Sequence, residues 1–530
     1  MSETIEKHWL GRNIVFLAVL IYLILRLLFT DLLSVNEHDI LVVGKQFANP
    51  SWIPADWYLN LDSGYRLTFN VFLYPILKVM PLVWVSILGR LVYYILFAFV
   101  LQRYARSLGI PAFFMIPALF FITEIQYIIT GEWILRSLEA KTFAYAFLLL
   151  ALVLLYERRF IISALFLGLS VSFHVLVGGY GTFAFLAVLL FDSPRYKPSF
   201  RVFTWAVAGY LLCASPGLIS IARNLARTDI SDTVRAGLIY VHARVPHHVL
   251  PSNWVKEYGN GLWRPVIKVV PSAALCFFAL LRPAKPFQRT LGIFTLSTVI
   301  FALLGFGLFF MDKTHLLKYY FFRLPDVMLP FSAFLLVFSY LSAWNPGRFS
   351  RYLPRIRTFT GITISVLLLV WAAIPFTREM VRFVRDPLYF VYGGNVESPK
   401  RQMFEWIKMH LAEDATFIIP PREERFYVGA ERAQFVSYKH SPQAEEEILE
   451  WYERMVFLNN GEPFRNLEID KTSLAENYER LSASNLLSIQ RKYDMDYYIG
   501  TPARDLPFPV VFRNDTYVIY EIDKGIEGGP

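Results

Sequence analysis

The stretch that decides the fold runs from residue 140 to residue 191 and reads AKTFAYAFLLLALVLLYERRFIISALFLGLSVSFHVLVGGYGTFAFLAVLLF. Residues 140–156, 161–173 and 180–191 are apolar, and Arg158 and Arg159 separate the first segment from the second. Apolar segments of this kind predict helices that cross a lipid bilayer. Residues 161–191 form either one long helix or two helices that divide at Gly178 and Gly179.

Similar segments on both sides extend this pattern over most of the chain. The 530 residues are 55% hydrophobic and 18% charged, whereas charged residues make up about 25% of an average soluble domain. Further spans are predicted at residues 13–33, 82–101, 110–129, 202–221, 266–281, 291–310, 327–343 and 359–376. The sequence therefore predicts an α-helical polytopic membrane protein with about eleven transmembrane helices.

The connections between the predicted spans alternate in charge. Every second connection is short and cationic: Arg103 and Arg106, Arg158 and Arg159, Arg195 to Arg201, Arg282 to Arg289, and Arg348 to Arg357. The positive-inside rule places these connections and the N-terminus in the cytoplasm, and residues 36–81, 130–139, 224–265 and 311–326 outside. A division at Gly178 and Gly179 preserves this alternation. Residues 66–80 are expected to form a helix along the outer membrane face, with a further membrane span as the alternative.

Residues 378–530 differ from the rest of the chain in charge and in periodicity. They carry a net charge of −7, whereas residues 1–377 carry +16. Helical periodicity marks residues 401–411 and 444–457, and strand patterns mark residues 416–420, 497–500, 510–512 and 516–521. We therefore expect a transmembrane domain at 1–377 and a soluble extracytoplasmic α/β domain at 378–530. Cationic cytoplasmic loops account for the basic membrane part, so nucleic-acid binding is not indicated.

Ionisable residues gather at the predicted outward helix ends, and Arg26 is the deepest charge in the predicted spans. Carboxylates serve as general bases, whereas Arg and Lys bind phosphate, Arg through paired hydrogen bonds. The candidates for a site at this face are Glu37, Asp39, Asp56, Glu139, His174, Arg244, His247, His248, Lys318 and Arg323. A phosphate-bearing lipid substrate needs carboxylates and cations together at this depth.

The layout of residues 13–376 resembles the GT-C class of membrane glycosyltransferases. The shared features are the many spans, the long first outward loop, the acidic residue soon after the first helix and the soluble C-terminal domain. The segments DWY (56–58), EAKTFAY (139–145), RVPHH (244–248) and FRLPD (322–326) are also similar to those of uncharacterised bacterial proteins with this layout. The resemblance implies transfer of a sugar from a polyprenyl-phosphate carrier to an acceptor glycan, lipid or protein, at the outer face of a prokaryotic inner membrane.

Carried onto this sequence, the resemblance makes Asp39 or Glu37 the catalytic base and implies inversion at the anomeric carbon. Arg244 and Arg323 are expected to hold the carrier phosphate, with the other candidates as further substrate contacts. The C-terminal part has no WWD-type motif, as in oligosaccharyltransferases, so protein N-glycosylation is not expected. No residue is assigned to a metal. The use of a divalent ion is left open, because Glu132 and Glu139 are seven residues apart and do not form a close acidic pair.

Two other functions compete with the glycosyltransferase. A transporter or flippase of lipid-linked glycans tends to have internal repeats, broken helices and charges at mid-membrane depth. A non-enzymatic assembly protein would bind a partner through its C-terminal domain. Convergence of Asp39, Arg244, His248 and Arg323 on one outward cavity discriminates between these functions, because without it neither the base role nor the phosphate role survives.

Overall fold

The computed structural model describes residues 2–34, 36–62, 64–227, 230–261, 263–344 and 353–522, and it is mostly helical. The α-helices are α1 (Ser2–Leu27), α2 (Glu37–Ala48), α3 (Leu67–Val79), α4 (Leu82–Leu108), α5 (Ala112–Glu124), α6 (Ala140–Tyr156), α7 (Phe160–Phe173), α8 (Val175–Phe191), α9 (Phe200–Arg227), α10 (Ile230–Ile239), α11 (Pro246–Val249), α12 (Pro251–Tyr258), α13 (Trp263–Leu281), α14 (Pro286–Phe310), α15 (Arg323–Ala343), α16 (Leu353–Arg385), α17 (Tyr389–Tyr392), α18 (Pro399–His410), α19 (Phe426–Gly429), α20 (Glu445–Leu458), α21 (Lys471–Glu479) and α22 (Ala483–Tyr493). A π-helical turn, Tyr240–Arg244, links α10 to α11. Arg348 and Arg351, two of the predicted cytoplasmic cations, lie outside the described residues.

Helices α1, α4 to α9 and α13 to α16 lie at the positions predicted for spans. Within the described ranges, six of them are long and apolar enough to cross a membrane: α4, α9, α13, α14, α15 and α16. The apolar parts of α1 and α5 to α8 are shorter, at 10–17 residues. The chain thus has the helices of a polytopic membrane protein, while eleven spans remains a prediction.

Burial separates the central helices from the peripheral ones. Nearly every side chain of α6 is buried. In α15, 78% of the most apolar 18-residue stretch is buried. In contrast, α9, α13 and α16 are apolar yet mostly exposed, at 11 to 17% burial. Apolar side chains that face away from the protein suit contact with lipid. The core of the helical part therefore lies around α4, α6 and α15.

The chain divides between α7 and α8 at His174, not at Gly178 and Gly179 as predicted. The His174 Nδ1 accepts a hydrogen bond from the Val177 backbone N–H at 3.3 Å and caps α8. Gly178 instead permits close helix packing, because a Cβ there would lie 2.2 Å from the backbone nitrogen of Val171. The sequence allowed one helix or two in residues 161–191. The structure has two helices, and the boundary between them is at His174.

Helix α1 ends at Leu27, six residues before the predicted end of the first span. The Arg90 guanidinium in α4 donates hydrogen bonds to the backbone carbonyls of Leu27, Leu28, Thr30 and Asp31 at 2.6–3.2 Å. These bonds satisfy carbonyls at a helix end and turn the chain away from the helix axis. Arg90 is a further charge within a predicted span and is almost fully buried; its guanidinium reaches the end of α1 beyond Arg26, so the expectation that Arg26 is the deepest charge stays a prediction.

The first outward loop folds into two helices and a connecting segment. The predicted helix is present as α3, and its position along the membrane face stays a prediction, whereas α2 was not predicted. Because Glu37 and Asp39 both lie in the first turn of α2, their side chains point in different directions. Because the two side chains point in different directions, the carboxylates of Glu37 and Asp39 have different neighbours.

The C-terminal part forms a five-stranded sheet flanked by helices. Its strands are β1 (Thr416–Ile418), β2 (Ala433–Gln434), β3 (Tyr497–Gly500), β4 (Val510–Arg513) and β5 (Val518–Glu521), in the order β2-β1-β3-β5-β4. Strand β1 pairs in parallel with β2 and β3, and β5 pairs antiparallel with β3 and β4. The predicted strands and the helices α18 and α20 are confirmed, and β2, α21 and α22 are additions. Helix α16 continues to Arg385, past the predicted domain boundary at residue 377.

Candidate functional site

A cavity of about 940 Å³ opens where one end of the helical part meets the C-terminal part. Its wall is made by α2, the loop before α6, the π-helical turn with α11, the turn before α15 and residues 439–448. Eight candidates line it: Asp39, Glu139, His174, Arg244, His247, His248, Lys318 and Arg323. Glu37 and Asp56 are not among the lining residues. The cavity is at the upper end of the size range of small-molecule sites, so it can hold a sugar and its leaving group.

The cavity wall carries more cations than carboxylates. The cations are Arg66, Arg136, Lys141, Arg244, Lys318, Arg323 and Lys439, and the carboxylates are Asp39, Glu132, Glu139, Glu257 and Glu445. A cleft with an excess of one charge attracts ligands of the opposite charge. The wall is therefore suited to an anionic ligand.

The Asp39 side chain reaches the cavity from α2 and is held from two sides. The Tyr58 hydroxyl donates to its Oδ1 at 2.6 Å, and the Arg66 guanidinium lies 3.2 Å from its Oδ2. Burial opposes the charged form, but the Arg66 charge and the Tyr58 hydrogen bond outweigh it and lower the pKa of Asp39 to about 2. Asp39 is therefore an oriented carboxylate at every physiological pH.

Arg323, the first residue of α15, forms an ion pair across the cavity wall. Its Nε lies 3.1 Å from Oε2 of Glu132, and its Nη1 lies 3.1 Å from Nε2 of His174. The guanidinium also stacks 3.9 Å above the ring of Tyr320. Asp326, in the same helix, accepts hydrogen bonds from the backbone N–H groups of residues 128–130.

Lys141 joins the Arg323 ion pair to Glu139. Its Nζ lies 3.3 Å from Glu132 and 3.5 Å from Glu139, above the ring of Trp133. Glu139 also accepts hydrogen bonds from the side chains of Trp133, Ser137 and Asn36. Arg323, Glu132, Lys141 and Glu139 thus form one connected network of four charged residues on the floor of the cavity, which holds each side chain in place.

The two adjacent histidines of α11 are both neutral. Burial and the nearby Arg244 and Lys471 charges lower the pKa of His247 to about 4. Burial likewise lowers the pKa of His248 well below its ordinary value, and its Nδ1 donates to the Thr130 carbonyl. That tautomer leaves the His248 Nε2 as a hydrogen-bond acceptor.

Arg244 and Lys318 connect the cavity to the C-terminal part. The Arg244 Nε donates to the Ser441 hydroxyl at 3.0 Å, and its Nη2 donates to the Lys439 carbonyl at 3.1 Å. The Lys318 ammonium lies 2.6 Å from the Glu445 carboxylate of α20. The C-terminal part therefore supplies one wall of the cavity.

Glu37 stabilises the fold rather than facing the cavity. Its fully buried carboxylate pairs with the Arg90 Nε at 2.7 Å and accepts hydrogen bonds from Ser86 and from the backbone N–H groups of Leu33 and Leu138. These contacts leave it no access to a substrate hydroxyl in the cavity. The geometry does not support the expectation that Glu37 is the base.

Asp56 connects the first outward loop to the C-terminal sheet, not to the cavity. Its carboxylate accepts hydrogen bonds from the Tyr427 hydroxyl and from the backbone N–H groups of Gln434 and Leu59, each at 2.8–2.9 Å. Burial raises the pKa of Asp56 to about 6, although these hydrogen bonds favour the charged form. Its position gives no support to substrate binding.

Sequence reasoning passed over four residues of the site. Arg66, Glu132 and Lys141 are in segments that it had considered, but their roles depend on partners in other segments. Lys439 ends the segment ERAQFVSYK (431–439), whose charged and aromatic residues indicate either a contact for an acceptor glycan or a solvated loop. Among the described residues, no group of three His, Cys, Asp or Glu side chains is arranged to hold a metal ion.

These features define a class: a membrane protein of many helices with a buried, charged cavity at the end of its helical part. In this chain, residues 399–457 match a family described as "Domain of unknown function (DUF6798)". The match extends from α18 into α20. No curated protein matches the chain.

Among solved structures, the chain is similar to one described as the crystal structure of the Archaeoglobus fulgidus oligosaccharyltransferase complex with Zn and sulfate. The two are 12% identical, the match covers 92% of this chain and 68% of that chain, and the TM-score is 0.39. A likeness at that TM-score supports no conclusion about the site.

Proposed function

We propose that the protein is a GT-C-like membrane glycosyltransferase that transfers a sugar from a polyprenyl-phosphate carrier to an acceptor glycan, lipid or protein. The supporting observation is that one cavity is lined by Asp39, Arg244, His248 and Arg323. The proposed reaction requires this convergence, and scattered positions would have excluded the reaction. We place the helical part in a prokaryotic inner membrane in this proposal. The cavity and the C-terminal domain face outward, and the N-terminus lies in the cytoplasm.

Arg323 is the better placed of the two arginines for the carrier phosphate. It begins α15, one of the helices long enough to span the membrane, and a carrier whose chain lies in the bilayer presents its phosphate at that level. Arg244 instead contacts residues of the C-terminal part. Lys141 adds a second cation to the surroundings of the phosphate, whereas the His248 Nε2, as a hydrogen-bond acceptor, is suited to a hydroxyl of the sugar.

Asp39 acts as the base in this reaction. The acceptor hydroxyl oxygen bonds to the anomeric carbon from the face opposite the carrier, and the bond between that carbon and the phosphate oxygen breaks. The phosphate leaves with the electron pair and is stabilised by Arg323. The attacking hydroxyl becomes strongly acidic as its new bond forms, so even a carboxylate of pKa about 2 takes its proton. The product is inverted at the anomeric carbon.

The transporter alternative receives no support from the charge inside α4. Mid-depth charges favour a transporter when they line a path for substrate. Arg90 is instead occupied by Glu37 and by four backbone carbonyls, and both side chains are buried.

The test is sugar transfer or carrier-phosphate release by the full-length protein in lipid nanodiscs. The donors are a panel of polyprenyl-phosphate sugars, and the acceptor is a mixed-glycan extract. Asp39→Asn is expected to lower the rate at least about 100-fold, the usual effect of removing a general base. Asp312→Asn is the matched control, because Asp312 is exposed and does not line the cavity. Carrier binding without turnover, equal in wild type and Asp39→Asn, would reject the enzyme.

A further inference from the structure

A cationic cluster lies on the wall formed with the C-terminal part. The ring of Tyr438 has the Arg244 guanidinium 5.2 Å from its centre and the Lys471 ammonium 4.7 Å from its centre. The Tyr438 hydroxyl donates to the Ala243 carbonyl at 3.0 Å, which holds the ring beside Arg244. Lys439 follows in sequence, and its carbonyl binds Arg244. We call Arg244, Lys439 and Lys471 the Tyr438 cluster.

Within the described part of the chain, no member of the Tyr438 cluster forms an ion pair with a carboxylate. Arg244 donates to a hydroxyl and a carbonyl, and the Lys439 ammonium donates to the Asn36 side-chain oxygen at 2.8 Å. The carboxylates that act on Lys439 from further away are Asp39, Glu424 and Glu139. These are held by Arg66, His38 and Lys141 respectively. The cluster is thus an excess of positive charge.

Such an excess is costly in a partly buried place. Burial and the Arg244 charge lower the pKa of Lys439, and both Lys439 and Lys471 help to lower that of His247. Cations that repel one another gain most when an anion binds among them. The contrast with the floor of the cavity is clear, because there Lys141 and Arg323 already face Glu132.

The Tyr438 cluster also leads out of the cavity on the side of the C-terminal part. Arg244 and Lys439 line the cavity, whereas Lys471, at the start of α21, is exposed. Arg422, also exposed, is close enough to lower the pKa of Lys471. A water-soluble chain with repeated negative charges can follow this path to Asp39, whereas the carrier approaches from the lipid beside α15.

We propose that the Tyr438 cluster binds carboxylate or phosphate groups of an acidic glycan, which is the acceptor. That the acidic glycan is the acceptor rests on the proposed function. Binding of an acidic glycan to the cluster does not require sugar transfer. Arg244 provides paired hydrogen bonds for a carboxylate or phosphate, and the two lysines provide the remaining charge.

The experiment measures binding of tetragalacturonate, with the neutral maltotetraose as reference, to the full-length protein in nanodiscs of neutral lipid. Wild type is expected to bind the acidic probe at least about tenfold more tightly at low salt, and the preference should shrink as salt rises. Lys439→Gln and Lys471→Gln should each weaken binding by about fivefold, the upper range for one ion pair that solvent reaches. Lys471 is exposed, so its substitution leaves folding intact. The control is Lys492→Gln, which removes an exposed lysine paired with Glu453 outside the cavity.

Equal binding of the two probes would overturn the inference. So would an acidic preference that Lys492→Gln weakens as much as Lys471→Gln does. A third arm measures retention of polyprenyl phosphate and polyprenyl diphosphate. If Lys439→Gln weakens retention of the diphosphate and not binding of tetragalacturonate, the cluster serves the carrier, and the inference fails while the glycosyltransferase stands. Acidic binding without any sugar transfer would reject the glycosyltransferase and keep the site.

Discussion

The Glu37 carboxylate lies 2.7 Å from the Arg90 Nε, and the side chains of both residues are at most 1% exposed. The pair joins α2 to α4 at the point where α1 ends. Breaking one half of such a buried pair leaves the other charge without compensation, at a cost of about 3–5 kcal/mol. The helix ends around the cavity therefore depend on this contact.

We predict that Glu37→Gln lowers the free energy of unfolding by about 3–5 kcal/mol. Thermal unfolding in detergent, followed by tryptophan fluorescence, measures the loss. Glu453→Gln is the matched control, because Glu453 is half exposed in its pair with Lys492. The double variant Glu37→Leu with Arg90→Met should lose less than Glu37→Gln. Normal stability with abolished sugar transfer in Glu37→Gln would instead identify Glu37 as the base.

Carrier binding should depend on Arg323 and on its paired arrangement with Glu132. Arg323→Gln is expected to weaken retention of polyprenyl phosphate at least about tenfold, because a charge-assisted pair of hydrogen bonds is lost. Arg323→Lys should restore part of it. Native mass spectrometry of the protein with bound carrier measures both. Arg289→Gln, which removes a partly exposed arginine paired with Asp192, should retain the carrier; equal retention in all variants would exclude Arg323 from the phosphate site.

The Lys318–Glu445 pair should fix the C-terminal part against the turn before α15. Both side chains are largely buried, with 9% and 15% exposure, so a double-mutant cycle should give a coupling free energy of about 1–2 kcal/mol. Lys318→Gln or Glu445→Gln should speed amide hydrogen exchange in residues 439–448. The exchanged pair, Lys318→Glu with Glu445→Lys, should slow it again. Additive effects of the two single variants would show that the contact contributes no coupling.

Protonation of Asp56 should make the stability depend on pH in a predictable direction. Its pKa is raised from 3.8 to about 6 on folding, so the folded state binds the proton more tightly. The resulting stability is present below about pH 4 and is lost as the pH rises through 6, by up to about 3 kcal/mol. Denaturation of wild type and Asp56→Asn at pH 4.5 and pH 7.5 isolates this difference. A pH dependence that is the same in both proteins would contradict the raised pKa.

The helices and most strands could be predicted from local patterns. Long apolar runs specify α4, α14 and α15 whatever surrounds them, and alternation specifies β5. The end of α1 could not be predicted, because it is set by Arg90, some sixty residues away. A lone arginine within an apolar run was nevertheless a visible signal, since charges in such runs need a partner.

The candidate site was predictable in its residue types but not in its pairings. Asp39 and Arg323 were found because acids and cations at helix ends are few in a chain this apolar. Their partners, Arg66 and Glu132, are in other segments, and no periodicity indicates which segments meet. Glu37 and Asp39 differ by two positions and have unrelated roles, because the helix α2 turns one into the core and the other into the cavity.

The Lys439 ammonium binds the side chain of Asn36, a residue 403 positions earlier in the chain. Asn36 leaves the ribosome hundreds of residues before Lys439 does, so during synthesis the early wall of the cavity exists for some time without its late wall. At about 5–20 residues per second, that interval lasts roughly 20–80 seconds. A nascent chain from which Lys439 has not yet emerged is therefore unable to assemble the complete wall of the cavity.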